Sequence, residues 1–380
     1  MLQTGTRTAY DADLDQFRDQ VRKVFDKHIT PHLNRWEAAG IVDRAAWLAM
    51  GEAGLLCPNA PEAYGGLGLD FRYNAVICEE LGYIGCHAGF PLQSDVVLAY
   101  FTVYGSEELK RAWIPKMISG EVITAIAMTE PDAGSDLQGI KTTAVRDGAH
   151  YVINGSKTFI TNGQNADVMV VVVKTDPEAR ARGVSLILVE ADREGFSRGR
   201  NLDKIGLHAS DTSELFFNDL RVPITNCIGT ENEGFLQMMN QLPQERLDIT
   251  ITAQANAQRA FDEAVNFTKQ RKAFKQTIFD FQNTRFTLGA LKAKLQAGWA
   301  HLDWCIARHL QKKLTAAEAS AAKLFHTELQ WEVCDAALQL HGGAGYMNEY
   351  PIARLWRDAR VGRIYGGTSE IMKEVVGRSI

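Results

Sequence analysis

YVINGSKTFITNGQNADVMVVVV, residues 151–173, sets the reading of the whole chain. Tyr151-Val152-Ile153 and Thr158-Phe159-Ile160 are short β-prone runs flanking Asn154-Gly155, a pair that tolerates positive φ in a tight turn, so the spacing predicts a hairpin. Val168 to Val173 is an unbroken apolar run rich in β-branched residues and reads as a buried strand; Val184 to Val189 and Leu215 to Phe217 read the same way. On either side the period becomes helical. Phe17, Val21 and Phe25 recur at four-residue spacing, and Leu81, Val96, Leu98 and Tyr100 sit in apolar stretches without alternation. Turn clusters such as Gly65-Gly66-Leu67-Gly68 separate these stretches. Beyond about residue 232, long amphipathic segments run over Ala253 to Lys272 and Ala316 to Leu340. Helices, a β middle and helices again predict an α+β chain, with an N-terminal α-helical domain over 1–120, a middle β domain over 121–230 and a C-terminal helical domain over 231–380.

That order is not the alternation of a doubly wound fold, and neither a G-x-G-x-x-G nor a P-loop occurs. There is no G-x-S-x-G elbow and no H-E-x-x-H. At 380 residues the chain is long enough for two or three domains at roughly 150 residues each. A 46% hydrophobic and 23% charged composition is that of a globular chain rather than a disordered or fibrous one. The net charge of −5 and the absence of a local basic patch argue against nucleic acid as a partner. The longest clean apolar run, Val168 to Val173, falls far short of the roughly 20 residues of a membrane helix, so no membrane association is expected. The start, MLQTGTRTAYDADLD, has neither a signal-peptide nor a transit-peptide layout, and a cytoplasmic location is expected. Cys57, Cys78, Cys86, Cys227, Cys305 and Cys334 form no C-x-x-C pair and read as core thiols in a reducing compartment. His28 and His32 are separated by Pro31, which breaks the helix that would align them, so no metal site is expected.

Two runs carry the chemistry. Ala127-Met128-Thr129-Glu130-Pro131-Asp132-Ala133-Gly134-Ser135-Asp136-Leu137-Gln138-Gly139 opens the β zone; its small residues allow close backbone approach, and Thr129 and Ser135 offer hydroxyls that suit a flat polar ring and a phosphate. A decorated turn has the same composition. Gln339-Leu340-His341-Gly342-Gly343-Ala344-Gly345-Tyr346 follows a helix and leads to Glu349, Arg354 and Asp358; its glycines suit contact with another backbone or with a diphosphate.

Together these runs resemble the two signature segments of the acyl-CoA dehydrogenase family. Arg271-Lys272-Ala273-Phe274, Lys157-Thr158-Phe159-Ile160-Thr161-Asn162-Gly163 and Ile364-Tyr365-Gly366-Gly367-Thr368-Ser369-Glu370-Ile371 extend the resemblance, in the family's order, to nearly the entire chain. It implies a C-terminal four-helix bundle, FAD, an acyl-CoA thioester substrate and α,β-dehydrogenation in fatty-acid β-oxidation, with electron-transfer flavoprotein as electron acceptor. By the same resemblance Ile126, Met128, Thr129, Gly134, Ser135, Phe159, Ile160 and Thr161 hold the flavin end of FAD, and Ser135 also faces the substrate. Arg271, Phe274, Gln282, Gln339, Gly342 and Gly343 hold the adenosine and diphosphate of a FAD bound chiefly by a neighbouring subunit, while Thr368 and Glu370 touch the FAD of their own chain. Shared sites imply a homo-oligomer, a dimer or more readily a tetramer. A tetramer also agrees with the absence, after Thr368-Ser369-Glu370, of the extension found in membrane-associated long-chain relatives. Lys275 departs from the glycine that many relatives carry after the Arg-Lys-Ala-Phe run, which leaves the adenine contacts there open.

Proton removal α to a thioester needs a general base in a dry site. Many family members carry that glutamate between the final tyrosine and glycine, but here Tyr365 is followed directly by Gly366. Leu242-Pro243-Gln244-Glu245-Arg246-Leu247 resembles the long-chain branch, which carries the base on a helix, and this makes Glu245 the expected catalytic base. Arg246, Gly366 and Gly367 join Ser135 as expected substrate contacts, with the Gly366 N–H on the thioester carbonyl. Asp248 either raises the pKa of Glu245 by like-charge repulsion or is a plain surface residue. Pro91 to Phe101 is expected to line the acyl tunnel, and medium to long straight chains are favoured. Alternatives are an isovaleryl-like, other branched or aromatic acyl-CoA dehydrogenase, a flavin oxidase or monooxygenase, and a non-catalytic CoA-ester-binding protein on the same scaffold.

Overall fold

The computed structural model describes residues 7–380. Helices occupy the first part, strands the middle and helices the remainder. The first helix, Ala12–His28, is capped by Asp11, whose side chain accepts from Leu14 N, and it stops just before Pro31, as the position of that proline predicts. Its buried face is Leu14, Arg18, Val21 and Phe25, one position off the predicted stripe, because Arg18 takes the inward place and Phe17 stacks edge-on to Tyr73. Burying Arg18 is tolerable because Glu79 and Glu80 of the helix Phe71–Ile84 accept from it at 2.6 and 2.7 Å.

The middle strands are β1 (Thr124–Ala127), β2 (Thr143–Asp147), β3 (His150–Thr161), β4 (Val168–Lys174), β5 (Val184–Glu190), β6 (Phe196–Asn201) and β7 (Thr212–Pro223). They form a single sheet in which β5 runs along one side of β4, β1 pairs parallel on the other, and the order continues β4-β2-β3-β7-β6. The alternation of β4 explains its unbroken apolar run. Val168, Val170 and Val172 pack toward Val97, Phe101, Leu186 and Met238, while Met169, Val171 and Val173 pack toward Ile187, Leu215 and Leu220. Both faces are therefore dry from Val168 to Val173, and the first polar residue is Lys174 at the strand's end.

The expected Asn154-Gly155 hairpin does not form. Strand β3 runs straight through it, and the turn lies earlier, at Gly148-Ala149, where Asp147 pairs with His150 and Gly148 has φ +60°. Two contacts prevail over the local turn preference. Asn154 is tied across to β7 by Nδ2 donating to Asp219 Oδ1 (3.0 Å) and by Asp219 N donating to Asn154 Oδ1 (2.9 Å). Gly155 sits where any Cβ would meet Thr142, so the glycine serves a bulge with a register shift rather than a reversal.

The C-terminal part is built from Gly234–Gln270, Gln282–Leu310 and Ala316–His341, with the shorter Pro351–Ala359 packed on the first and third and Ser369–Gly377 on the third. Ala257, Ala260, Leu288, Leu295, Val333, Ile352 and Leu355 share one core there. Gly234–Gln270 also packs on Phe71–Ile84, bringing helices from both ends of the chain together. The segment Leu92–Val97, in a π-helical winding, lies against β1 and against this same long helix.

Candidate active site

The long helix Gly234–Gln270 carries Pro243 in its interior, and a proline there deprives the Met239 carbonyl of its usual donor two residues before Glu245. Glu245 is half-buried, and Tyr100 Oη donates to its Oε1 at 3.1 Å. Desolvation pushes the Glu245 carboxyl up to about 7; the Tyr100 hydroxyl and the Arg246 cation pull the other way, and Asp248 adds a smaller upward push. Arg246 does not form a surface pair with Glu245. It is buried, its Nη1 donates to Ser320 Oγ at 2.9 Å, and its Nε has no partner among the described residues.

Facing that helix is the loop around Gly366 and Gly367, whose φ values of +62° and +100° suit glycine. A Cβ at Gly366 would run into Cδ1 of Ile249, one turn on from Glu245, and Arg246 Nη2 lies 3.9 Å from the Cβ position of Gly367. Lys323 Nζ donates to Gly367 O at 2.6 Å; burial lowers this ammonium to about 8, with Arg246 pushing the same way. The Gly366 N–H has no acceptor among the described residues and is free for a ligand carbonyl. Glu245, Arg246, Gly366 and Gly367 are thus gathered where the long helix meets this loop.

A second group gathers at the end of β1. Lys157, fully buried, donates from Nζ to Glu130 Oε1 (2.8 Å) and to Met128 O (2.9 Å), and Thr158 N donates to Thr129 O (2.9 Å). Glu130 in turn accepts from the backbone of Lys141 and Thr142. These bonds clamp the Thr129–Ser135 turn to β3. Opposite it, Phe159 leaves the ladder with φ +59° inside a register shift and stands 67% exposed, an apolar ring with no packing reason to face outward. Ile126, Met128, Thr129 and Thr161 are partly open, and Gly134 and Ser135 are exposed. Ile160 points into the sheet core, so it can offer only its backbone. An exposed ring, free hydroxyls and a glycine turn fit the flat, hydrogen-bonding end of a flavin.

Arg271, Phe274, Gln282, Gln339, Gly342 and Gly343 stand exposed, and no hydrogen bond joins them to the Glu245 group. A Cβ at Gly342 or Gly343 would meet nothing within 4 Å, leaving room for a diphosphate. Phe274 and Lys275 both have positive φ in the two-residue turn between β8 (Lys272–Ala273) and β9 (Gln276–Thr277), which accounts for a glycine preference at position 275. Thr368 caps the last helix by accepting from Ile371 N, with the exposed Glu370 in its first turn.

Sequence reasoning placed Tyr100 among the apolar positions and within the expected tunnel lining Pro91 to Phe101, but missed it as the partner of Glu245. It also left Asp248 between two roles, one of which the structure excludes. Asp248 is buried, not on the surface, and it touches Cys78, so that cysteine is more than core filler. All six cysteines are unpaired, Cys227 being half-buried and the others buried.

Three family models match in succession: the acyl-CoA dehydrogenase N-terminal domain over 11–121, the middle domain over 125–220 and the C-terminal domain over 232–380. The long-chain specific acyl-CoA dehydrogenase, mitochondrial, of Sus scrofa is 48% identical over 99% of this chain and 88% of its own. Among solved structures, an acyl-CoA dehydrogenase from Geobacillus kaustophilus superimposes with a TM-score of 0.97 at 47% identity, covering 98% of this chain and 99% of its own. A glutaryl-CoA dehydrogenase from Mycobacterium smegmatis, solved in complex with FADH2, gives 0.91 at 27% identity over 98% and 95% of the two chains.

Proposed function

The chain belongs to the acyl-CoA dehydrogenase family, an FAD-dependent oxidoreductase of fatty-acid oxidation, and from that premise we propose that Glu245 is the base that removes the α proton of its acyl-CoA. The observation that carries this is a half-buried carboxyl raised to about 7, held at Oε1 by Tyr100 and set against a loop whose Gly366 has no side chain. Tyr100 leaves Oε2 as the atom that takes the proton. A pKa near the working pH keeps much of the group ionised while leaving it basic enough to compete for a weakly acidic C–H. The Gly366 N–H polarises the thioester carbonyl and lowers the cost of enolate character at the α carbon. Lys323, by holding Gly367 O, fixes that donor in place. FAD, when bound, would supply the two-electron acceptor for the hydride of the β carbon. Ile126, Met128, Thr129, Gly134, Ser135, Phe159, Ile160, Thr161, Thr368 and Glu370 hold FAD from its own chain, and Ser135 and Arg246 also contact the substrate.

We read the domains as 1–120, 121–230 and 231–380, and the assembly as a homotetramer in which Arg271, Phe274, Gln282, Gln339, Gly342 and Gly343 reach a neighbour's FAD; their exposure away from Glu245 supports this. The electron acceptor is electron-transfer flavoprotein, and the substrate a medium- to long-chain acyl-CoA. No helix among the described residues is long and apolar enough to cross a membrane. The unpaired cysteines support a reducing compartment, for which we take the cytoplasm.

Anaerobic flavin bleaching by dodecanoyl-CoA tests the assignment. Glu245→Gln keeps the shape of the side chain, so FAD content and acyl-CoA affinity survive while bleaching slows by roughly 10²- to 10⁴-fold. Bleaching at the unmodified rate with full FAD would remove Glu245 from the role.

A further inference from the structure

Behind Glu245 lie two carboxyl groups that the reaction, as derived so far, does not use. Asp248 sits one helical turn on in the same helix, and Asp95 comes from the π-helical segment Leu92–Val97; both are buried, at 8% and 2% exposure. Cys78 Sγ donates to Asp248 Oδ1 at 2.8 Å and lies 3.4 Å from Asp95 Oδ2, and Asn74 Nδ2 donates to Asp95 Oδ1. Neither carboxyl has a cationic partner among the described residues. We propose that Asp95 and Asp248 share one proton, and that this pair positions Glu245 and keeps a single negative charge one turn behind it. The proposal rests on Glu245 being the base.

Two carboxylates in one dry site cannot both ionise, because each raises the cost of charging the other. Burial pushes both carboxyls up, and Asp248 pushes Asp95 further, so the pair as a unit holds one proton and one negative charge. The pair also joins the two walls of the site. Asp95 belongs to the segment that continues into Leu98–Tyr104, and that helix presents Tyr100 to Glu245; Gln244, next to Glu245, donates from Nε2 to Asp95 O. The groups facing Glu245 are Tyr100, Arg246 and Asp248, and those facing the pair are Asn74, Cys78, Cys57 and Tyr365. Arg246 and Asp248 oppose one another at Glu245, so removing the pair's charge leaves the arginine unopposed and makes Glu245 more acidic.

The test is the pH dependence of flavin bleaching in holoenzyme carrying Asp95→Asn and Asp248→Asn together. The acid limb should move to lower pH by between about half a unit and two units with FAD content unchanged, as expected for one charge lost at the distance of a helical turn. Asp248→Asn alone leaves Asp95, which burial still holds above the usual carboxylate range, and should move the limb in the same direction. An unmoved acid limb in a flavin-loaded double variant would overturn the proposal, even where the rate itself falls. If the double variant does not hold FAD, infrared spectroscopy of Glu245→Gln holoenzyme at pH 8 decides. The carbonyl stretch of a protonated carboxyl should be present there and lost on adding Asp95→Asn, and its absence would overturn the pair. Should Glu245→Gln itself bleach at the unmodified rate, the base assignment fails instead, and the infrared result still stands for the pair.

Discussion

The tip of the Ile249 side chain borders the space that a side chain at residue 366 would need: its Cδ1 lies 2.4 Å from where a Cβ on Gly366 would go. A side chain on the loop and the Ile249 methyl of the helix therefore compete for one space in this packing. A glutamate on the loop would need the helix face cleared, and a glutamate on the helix is best served by a bare loop. Adding Gly366→Glu to Glu245→Gln should accordingly fail to restore flavin bleaching, because the new side chain meets Ile249 and its backbone must hold φ +62°. Shortening the obstruction with Ile249→Ala should recover at least about tenfold over the double variant, which corresponds to roughly 1.4 kcal/mol of barrier. Stopped-flow bleaching of the three variants with dodecanoyl-CoA checks this, and equal rates in all three would refute the steric argument.

The acid limb of the reaction follows from Glu245. Its carboxyl is raised to about 7 and must be ionised to accept a proton, so bleaching should be level above that pH and fall about tenfold per unit below it. Tyr100 stabilises the charged form through its hydrogen bond, so Tyr100→Phe should raise the limb by about half a unit to one unit. At pH 8 the variant should remain close to wild type, and at pH 6 it should be clearly slower. A limb that stays put or moves downward would show that Tyr100 does not act on the charged carboxylate.

Much of this was legible in the sequence, for reasons that can be named. Buried strands announce themselves when both faces are dry, as β4 does, and the Glu245 and Gly366 motifs are local in sequence. The misreadings arose where a long-range partner overrode a local preference. Asn154-Gly155 has every property of a hairpin turn, but Asp219, 65 residues away, claims the asparagine, and Thr142 needs the glycine. Arg18 took an inward position because Glu79 and Glu80, more than 60 residues away, neutralise it. Asp248 stayed open between a surface charge and a neighbour acting on Glu245 because its partners, Cys78 and Asp95, come from other helical segments. Nothing in the local pattern marks such pairs.

The β8–β9 turn carries strain that can be removed. Phe274 (φ +51°) and Lys275 (φ +67°) are both in the left-handed region, where a side chain costs roughly 1 kcal/mol relative to glycine. Lys275→Gly relieves that strain but loosens the unfolded chain, so the net gain should be about 0.5 kcal/mol or a little more. Thermal unfolding of FAD-loaded protein at fixed concentration should show a small rise in Tm, with the bleaching rate unchanged because Lys275 touches nothing near Glu245. A fall in Tm would mean that the lysine makes a compensating contact.

Flavin binding and assembly should be thermodynamically linked. Arg271, Gln339, Gly342 and Gly343 are exposed and share no hydrogen bond with the Glu245 group, and in the proposed assembly a protomer alone presents only part of the surface that FAD needs. A ligand that bridges two chains stabilises the assembled form in proportion to its occupancy. Dilution should therefore release FAD and dissociate the protein together, and added FAD should shift both transitions to lower protein concentration. Arg271→Ala should weaken FAD retention by about tenfold, the size of one lost charge-assisted hydrogen bond, while leaving the acid limb of bleaching in the loaded fraction unmoved. Light scattering and flavin fluorescence on the same dilution series follow the two transitions. A monomer that keeps its flavin at micromolar concentration would break the linkage and place the complete site within one chain.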